Sequence, residues 1–296
     1  MSQNFRPGLS SAATTSTLGL LADLAGTWIG TGFNIIALPD FDKRPPSTGP
    51  KPFRLELNTT QETLTFTPIG GNVPNRGSLT AFPSPQDPTP TGQNDINLHG
   101  LTYLQQVSDA NTHSGIHIEP GIWIRVPASN IPKQEETYVR LATIPHGDSL
   151  VAQSSFAQNV PGGPKIDETE SSLPIGIPHE AQQDYNQPYF FTAPPAGAQK
   201  SWIINPNLAL TAAIQNQKII KTTVLQISTD PAGGIVNIPF VVKNANAVKM
   251  TAIFWIETVE QANGSTFQQL QYTQNVTLDF LGIQWPHISV ATLVKF

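Results

Sequence analysis

The feature that most constrains this chain is an alternation of period two, cut again and again by clusters of proline and glycine. Residues 268–280 show it best. Gln268, Leu270, Tyr272, Gln274, Val276, Leu278 and Phe280 interleave with Gln269, Gln271, Thr273, Asn275, Thr277 and Asp279. That pattern predicts a long half-buried strand. Similar alternation, or short β-branched runs, covers 53–57, 64–67, 115–126, 137–144, 150–154, 218–228, 248–259 and 288–296. The 27 prolines and 22 glycines gather between these runs, at 39–52, 83–95, 127–134, 160–206 and 261–265, which read as loops. Helix signals are few. Ser16 or Thr17 is placed to cap a short helix carrying Leu18, Leu21 and Leu24, stopped by Gly26, and 208–216 is a second candidate. Many strands with hardly any helix predict an all-β antiparallel fold, and closure into a barrel removes its exposed edges.

The 296 residues suffice for one large β domain. The reading is a flexible N-terminus over 1–15 and a single barrel over 16–296. An insertion at about 160–206 is too long for an ordinary loop, and so a lid or an excursion across the barrel mouth. Such inserts either cap the barrel or build a homodimer interface. Charged residues are 12% of the chain and the net charge is −5, so no basic footprint for nucleic acid exists. The absence of cysteine removes disulfides, thiolate-bound metals and cysteine nucleophiles. No stretch reaches the ~18 apolar residues of a membrane helix, and residues 1–17 carry no signal-peptide pattern. The chain reads as soluble and cytoplasmic.

Three stretches carry candidate chemistry. In 115–125 successive side chains point to opposite faces, so His117, Glu119, Trp123 and Arg125 share one face and Ile116, Ile118, Ile122 and Ile124 the other. Such a polar face is either solvated, with the aliphatic face in the core, or turned into a ligand-holding lumen. In 281–295, alternation through Pro286 places His287 on the face of Ala291 and Leu293, where a neutral imidazole can ligate a metal or serve as a hydrogen-bonded structural residue. In 25–32, Gly26-Thr27-Trp28 after a short helix suits a Trp that plugs one end of a barrel.

In this order the three stretches resemble the nitrobindin family of haem-binding barrels. The resemblance rests on Gly26-Thr27-Trp28-Ile29-Gly30-Thr31-Gly32, on His117-x-Glu119-x-Gly121-x-Trp123-x-Arg125, on 138–153, and on His287 with Ala291, Leu293 and Lys295. It covers about half the chain, and the surplus length falls in the Pro/Gly-rich stretches. It implies a lipocalin-like barrel of about ten strands holding haem b at one mouth, with His287 as axial ligand to the iron. It further implies that Leu293 and Ala291 pack near the macrocycle, that His117 and Trp123 line the cavity, and that Arg125 or His117 meets a propionate or distal ligand. The activity implied is binding or transformation of nitric oxide, peroxynitrite or peroxide. Two other readings of the same residues stand beside it. One is a metal-free barrel for an apolar or aromatic molecule, anchored by His117, Glu119, Trp123 and Arg125. The other is a non-haem metal enzyme using His117 and Glu119 with His146 or His179. His99, His113, His146 and His179 otherwise read as structural or surface residues.

Overall fold

The computed structural model describes residues 16–40, 53–77, 92–178 and 185–296. The described residues form thirteen strands: β1 Gly26–Pro39, β2 Phe53–Pro68, β3 Val73–Asn75, β4 Ile96–Asp109, β5 Gly115–Val126, β6 Ser129–Asn130, β7 Lys133–Gln134, β8 Thr137–Ile144, β9 Asp148–Pro161, β10 Lys218–Asn237, β11 Asn246–Glu260, β12 Thr266–Phe280 and β13 Ile283–Lys295. All pairings are antiparallel. The order β2-β1-β13-β12-β11-β10-β9-β8-β5-β4 closes on itself through β2–β4, giving a ten-stranded barrel with β3 as an extra strand on β4. β6 and β7 form a separate two-residue ladder. The expected barrel is the observed one. β4 is the long strand that the sequence reading omits: its inward row Leu101, Tyr103, Gln105 and Val107 is interrupted by an amide, which hides the alternation.

One end of the barrel is plugged. The 3-10 helix Gly19–Leu24 lies across it with Leu18, Leu21 and Leu24 buried, and its N-cap position is Leu18 instead of Ser16 or Thr17. Trp28, fully buried, donates Nε1 to Leu24 O at 2.7 Å, and Lys295 Nζ sits 5.0 Å from its ring centre. Leu64, Phe66, Leu101, Trp123, Tyr138 and Leu293 fill the space above the indole. Gly30 and Gly32 allow β1 and β13 to close on each other here. A Cβ at Gly30 would meet Thr292 O at 2.2 Å, and one at Gly32 would meet Val290 O at 2.3 Å.

The turns 110–114, 145–147 and 281–282 all lie at the opposite, open end. The insertion leaves β9 and re-enters β10 at the plugged end, and its described part climbs the outer wall as far as the open-end rim, where Ile175 bridges to Gln284. Two short helices, Gln187–Phe191 and Asn207–Ile214, and the 3-10 turn Lys200–Ile203 bury Tyr189, Ile203 and Leu210 against Phe33, Ile35, Ile288 and Val290. Polar groups fix this layer: Gln271 Nε2 donates to Leu210 O at 3.0 Å and Thr273 Oγ1 to Asn207 Oδ1 at 2.5 Å. The wall therefore has a second core outside the barrel. No helix among the described residues is long and apolar enough to cross a membrane.

Candidate functional site

The face of β5 that carries His117, Glu119, Trp123 and Arg125 points into the barrel. Glu119 and Trp123 are fully buried, whereas Ile118 on the other face is 41% exposed. Of the two orientations open from spacing, the polar face is the inner one. Burying a carboxylate this deep requires partners, and they come from the two neighbouring strands β4 and β8. Glu119 Oε1 accepts from Arg140 Nη2 and from the Tyr103 hydroxyl. Arg140 Nε donates to Tyr103 Oη at 2.9 Å and Nη1 crosses the lumen to Gln274 Oε1 at 2.7 Å. Burial by itself raises the Glu119 pKa, but the Arg140 charge and the hydrogen bonds of His117 and Tyr103 prevail and hold it at about 2. Arg140 is raised in turn by its anionic partner against the opposing effect of burial.

A second carboxyl group, Glu62, sits on the inner row of β2 with Leu64 and Phe66. Its oxygens accept from Thr60 Oγ1 at 2.8 Å, Tyr272 Oη at 2.5 Å and Gln105 Nε2 at 3.3 Å. Here burial wins and the pKa is raised. The two networks together span the lumen at mid-height. They separate the apolar plug below from a polar cup above.

Three imidazoles furnish the cup. His117 Nε2 lies 3.3 Å from Glu119 Oε2, and its ring centre is 5.8 Å from that of His146. His287 projects from the inner row of β13 that also carries Ser289, Ala291 and Leu293. The β13 register to β12 is continuous through Pro286, so alternation does hold there. His287 Nε2 is 2.9 Å from Asn34 Oδ1, and Asn34 is tied on to Asn58 and, through it, to Asp109. Burial, followed by the nearby His117 and His146, pushes the His287 pKa down to about 3, so this ring is neutral at physiological pH. Burial and His117 lower His146 as well. A cavity of about 1010 Å³ opens where β1, β2, β4 and β5 meet. Its lining takes in the inward Gly30, Glu62, Val107, His117 and His146 and, on the outer face, Ile29, Thr31, Gln61, Thr63, Gln106, Ser108 and Ile118; His287 is not part of it.

The structure thus brings His117 and His287 to the same end, with Ala291 two pleat repeats further in. Arg125 and Trp123 lie elsewhere. Arg125 is eight residues along β5 from His117, roughly 26 Å in an extended strand. It is held at the plugged end by Glu136 through Nε at 2.9 Å and Nη2 at 2.6 Å and by Thr17 O at 2.9 Å. Trp123 packs edge-on against Phe254, their ring centres 5.3 Å apart, and Leu293 belongs to the same apolar cluster. The sequence reading missed Arg140, Tyr103, Glu62, Tyr272 and Asn34. For Arg140 a signal existed: it falls in register between the inward Tyr138 and Ala142. Among the described residues no group of three or more His, Asp and Glu side chains can hold a metal ion directly. The facial-triad reading therefore lacks its third ligand here, and His179 lies outside the described residues.

The donor chemistry suits a haem on one count. His287 is a neutral, desolvated imidazole whose one ring nitrogen is fixed by an amide oxygen, the arrangement that orients a metal-ligating histidine. Because that nitrogen is Nε2, ligation with the Asn34 contact kept in place runs through Nδ1.

No protein-family model matches the chain, and no curated protein matches it either. Nine chains of solved structures do. Among them is the crystal structure of Rv2717c from M. tuberculosis, 12% identical, with a TM-score of 0.43 over 94% of this chain and 98% of that one.

Proposed function

We propose that the protein is a small-molecule-binding barrel whose ligand occupies the polar cup at the open end, and that this ligand is haem b held through His287. The observation that supports this most is the inward, neutral imidazole at position 287, which stands on its row between the buried Trp285 and Ser289. When bound, the haem supplies the iron at which nitric oxide, peroxynitrite or peroxide is bound or transformed. The chain's own residues do the positioning. Asn34 orients His287, His117 and His146 line the cup, and the Arg140–Glu119–Tyr103 floor keeps the macrocycle above the apolar plug. Titration of the purified protein with hemin tests this. A saturable Soret band at one equivalent, abolished in His287→Ala with the far-UV spectrum unchanged, is the expected result. A band that does not saturate, or one indifferent to the substitution, refutes it.

A second reading, a metal-free organic ligand, is favoured by the polarity of the cavity wall around Glu62, His117 and His146. Most small-molecule sites orient an apolar body with a few such groups. It predicts an organic compound retained through purification and no iron.

A further inference from the structure

The barrel wall is not laddered all the way to its open end. β10 pairs with β11 only as far as Ser228 opposite Thr251. Beyond that point β10 skips four residues and resumes on β9 alone, from Gly233 opposite Ala152 to Asn237 opposite Asp148. Residues 246–250 of β11 are left with no β10 partner strand. Side chains stand in for the missing ladder: Met250 N donates to Thr229 Oγ1 at 2.9 Å, and Asn237 Nδ2 donates to Ala247 O at 2.9 Å. Lys249 Nζ reaches Asp230 Oδ2 at 3.5 Å on the exposed side.

The seam is spanned by the six-residue helix Pro239–Asn244, whose inner side rests on the β8–β9 turn. Ile238 N donates to Gly147 O at 2.9 Å, and a Cβ added at Gly147 would meet Ile238 Cδ1 at 2.5 Å. The other side faces out: Val236 is 75% and Phe240 73% exposed, with Ile238 and Val242 beside them. Where β10 changes partner, Gly233 and Gly234 have φ of +130° and +150°, a region in which glycine is at home and other residues are not. A Cβ at Gly233 would meet Val151 O at 2.1 Å.

We propose that this seam is the door of the cup: the end of β10, the helix Pro239–Asn244 and the β8–β9 turn open as one flap away from β11, turning about Gly233-Gly234, to admit the ligand. The inference rests on the reading that the cup takes a ligand. His146 rides on the flap, so opening separates it from His117 and His287 and closure returns it to the wall. The exposed apolar side chains flank the opening, which suits entry of an amphiphile with an apolar body.

The cysteine-free chain gives a clean test. In an Asn237→Cys/Ala247→Cys variant a disulfide staples the seam, and reduction releases it. Hemin is the probe, mixed by stopped flow with the oxidised and reduced forms. Association at least tenfold slower in the oxidised form, restored by reductant, is expected; equal rates mean that the ligand enters elsewhere and overturn the proposal. Hydrogen exchange on the wild-type protein judges the flap without any ligand. Amides of 246–250 must exchange at least tenfold faster than those of 251–259, and equal protection across the two stretches overturns it. If hemin binds to neither form, the haem reading fails, and the exchange result still decides the door.

Discussion

Arg140 and Glu119 face each other inside the barrel as an ion pair with almost no exposure to water, 1% and 0%. Tyr103 bridges both, and Gln274 takes the remaining guanidinium arm. An ion pair this deep contributes little net stability over an apolar filling, but removal of one partner strands the other. We expect Glu119→Ala or Arg140→Ala to cost about 3–5 kcal/mol in urea unfolding. The pairing Glu119→Gln with Arg140→Met should recover more than half of that loss. A single substitution that costs less than about 1 kcal/mol would show that water, not Arg140, neutralises Glu119.

Glu257 presents the opposite case on the outer face of β11. It is fully buried under the climbing segment, Gln269 Nε2 donates to its Oε2 at 2.6 Å, and its Oε1 has no hydrogen-bond partner. Burial pushes its pKa up to about 7, and the Gln269 bond only partly opposes that. The folded state therefore holds the proton between the unfolded value near 4.5 and about 7, and stability is lost as pH rises through that window. Glu257→Gln keeps the shape and removes the charge. It should raise stability at pH 8 by roughly 2 kcal/mol and change little at pH 4.5. Equal effects at both pH values would mean that Glu257 is ionised in water-filled space.

Much of this architecture could be read directly from residue order, because a period of two is local information. That His117, Glu119, Trp123 and Arg125 share one face of β5, and that His287 shares a face with Ala291 and Leu293, follow from alternation, and the register keeps each set together. What alternation cannot tell is which face is inside. Ile118 and Ile124 look like core, yet they lie on the outer face because the inner one satisfies its charges from β4 and β8. Nor can it tell how far along the axis two residues sit. Trp123 and Arg125 share a face with His117 and end up beneath the floor, at the plugged end. Partners such as Glu62 and Tyr272, 210 positions apart, meet only through barrel closure.

Asn34 is the residue through which the haem reading is most open to challenge. It holds His287 Nε2 at 2.9 Å and shares the same oxygen with Ser289 Oγ at 2.8 Å. Loss of such an orienting partner costs about 10–100-fold in affinity where the histidine ligates a metal. Asn34→Ala should therefore weaken hemin binding by at least tenfold while leaving the barrel folded. Should affinity rise instead, the Asn34 contact competes with the iron for Nε2, and His287 is freed rather than aimed. An unchanged affinity removes His287 from the role of axial ligand.

Two of the imidazoles, His287 and His146, make the fold sensitive to acid in a defined window. His287 is held at about 3 and His146 is lowered too, against an ordinary value of 6.5. Between those limits the unfolded chain binds more protons than the folded one, so stability falls as pH drops below 6.5 and the loss is complete only near 3. Glu119, at about 2 against 4.5, adds a further loss at the acid end of that range. Glu257 works the other way between 4.5 and 7, which flattens the upper half. The combined expectation is a Tm that changes little from pH 7 to about 5 and then declines steeply toward pH 4. In His287→Gln, which cannot take up a proton, the decline should be shallower by roughly one proton's worth of slope, about 1.4 kcal/mol per pH unit below 6. Calorimetric scans of the two proteins from pH 7 to 4 measure that difference. Parallel profiles would mean that His287 is as hydrated as any surface histidine, and the cup would then be an open vestibule with no desolvated ligand site.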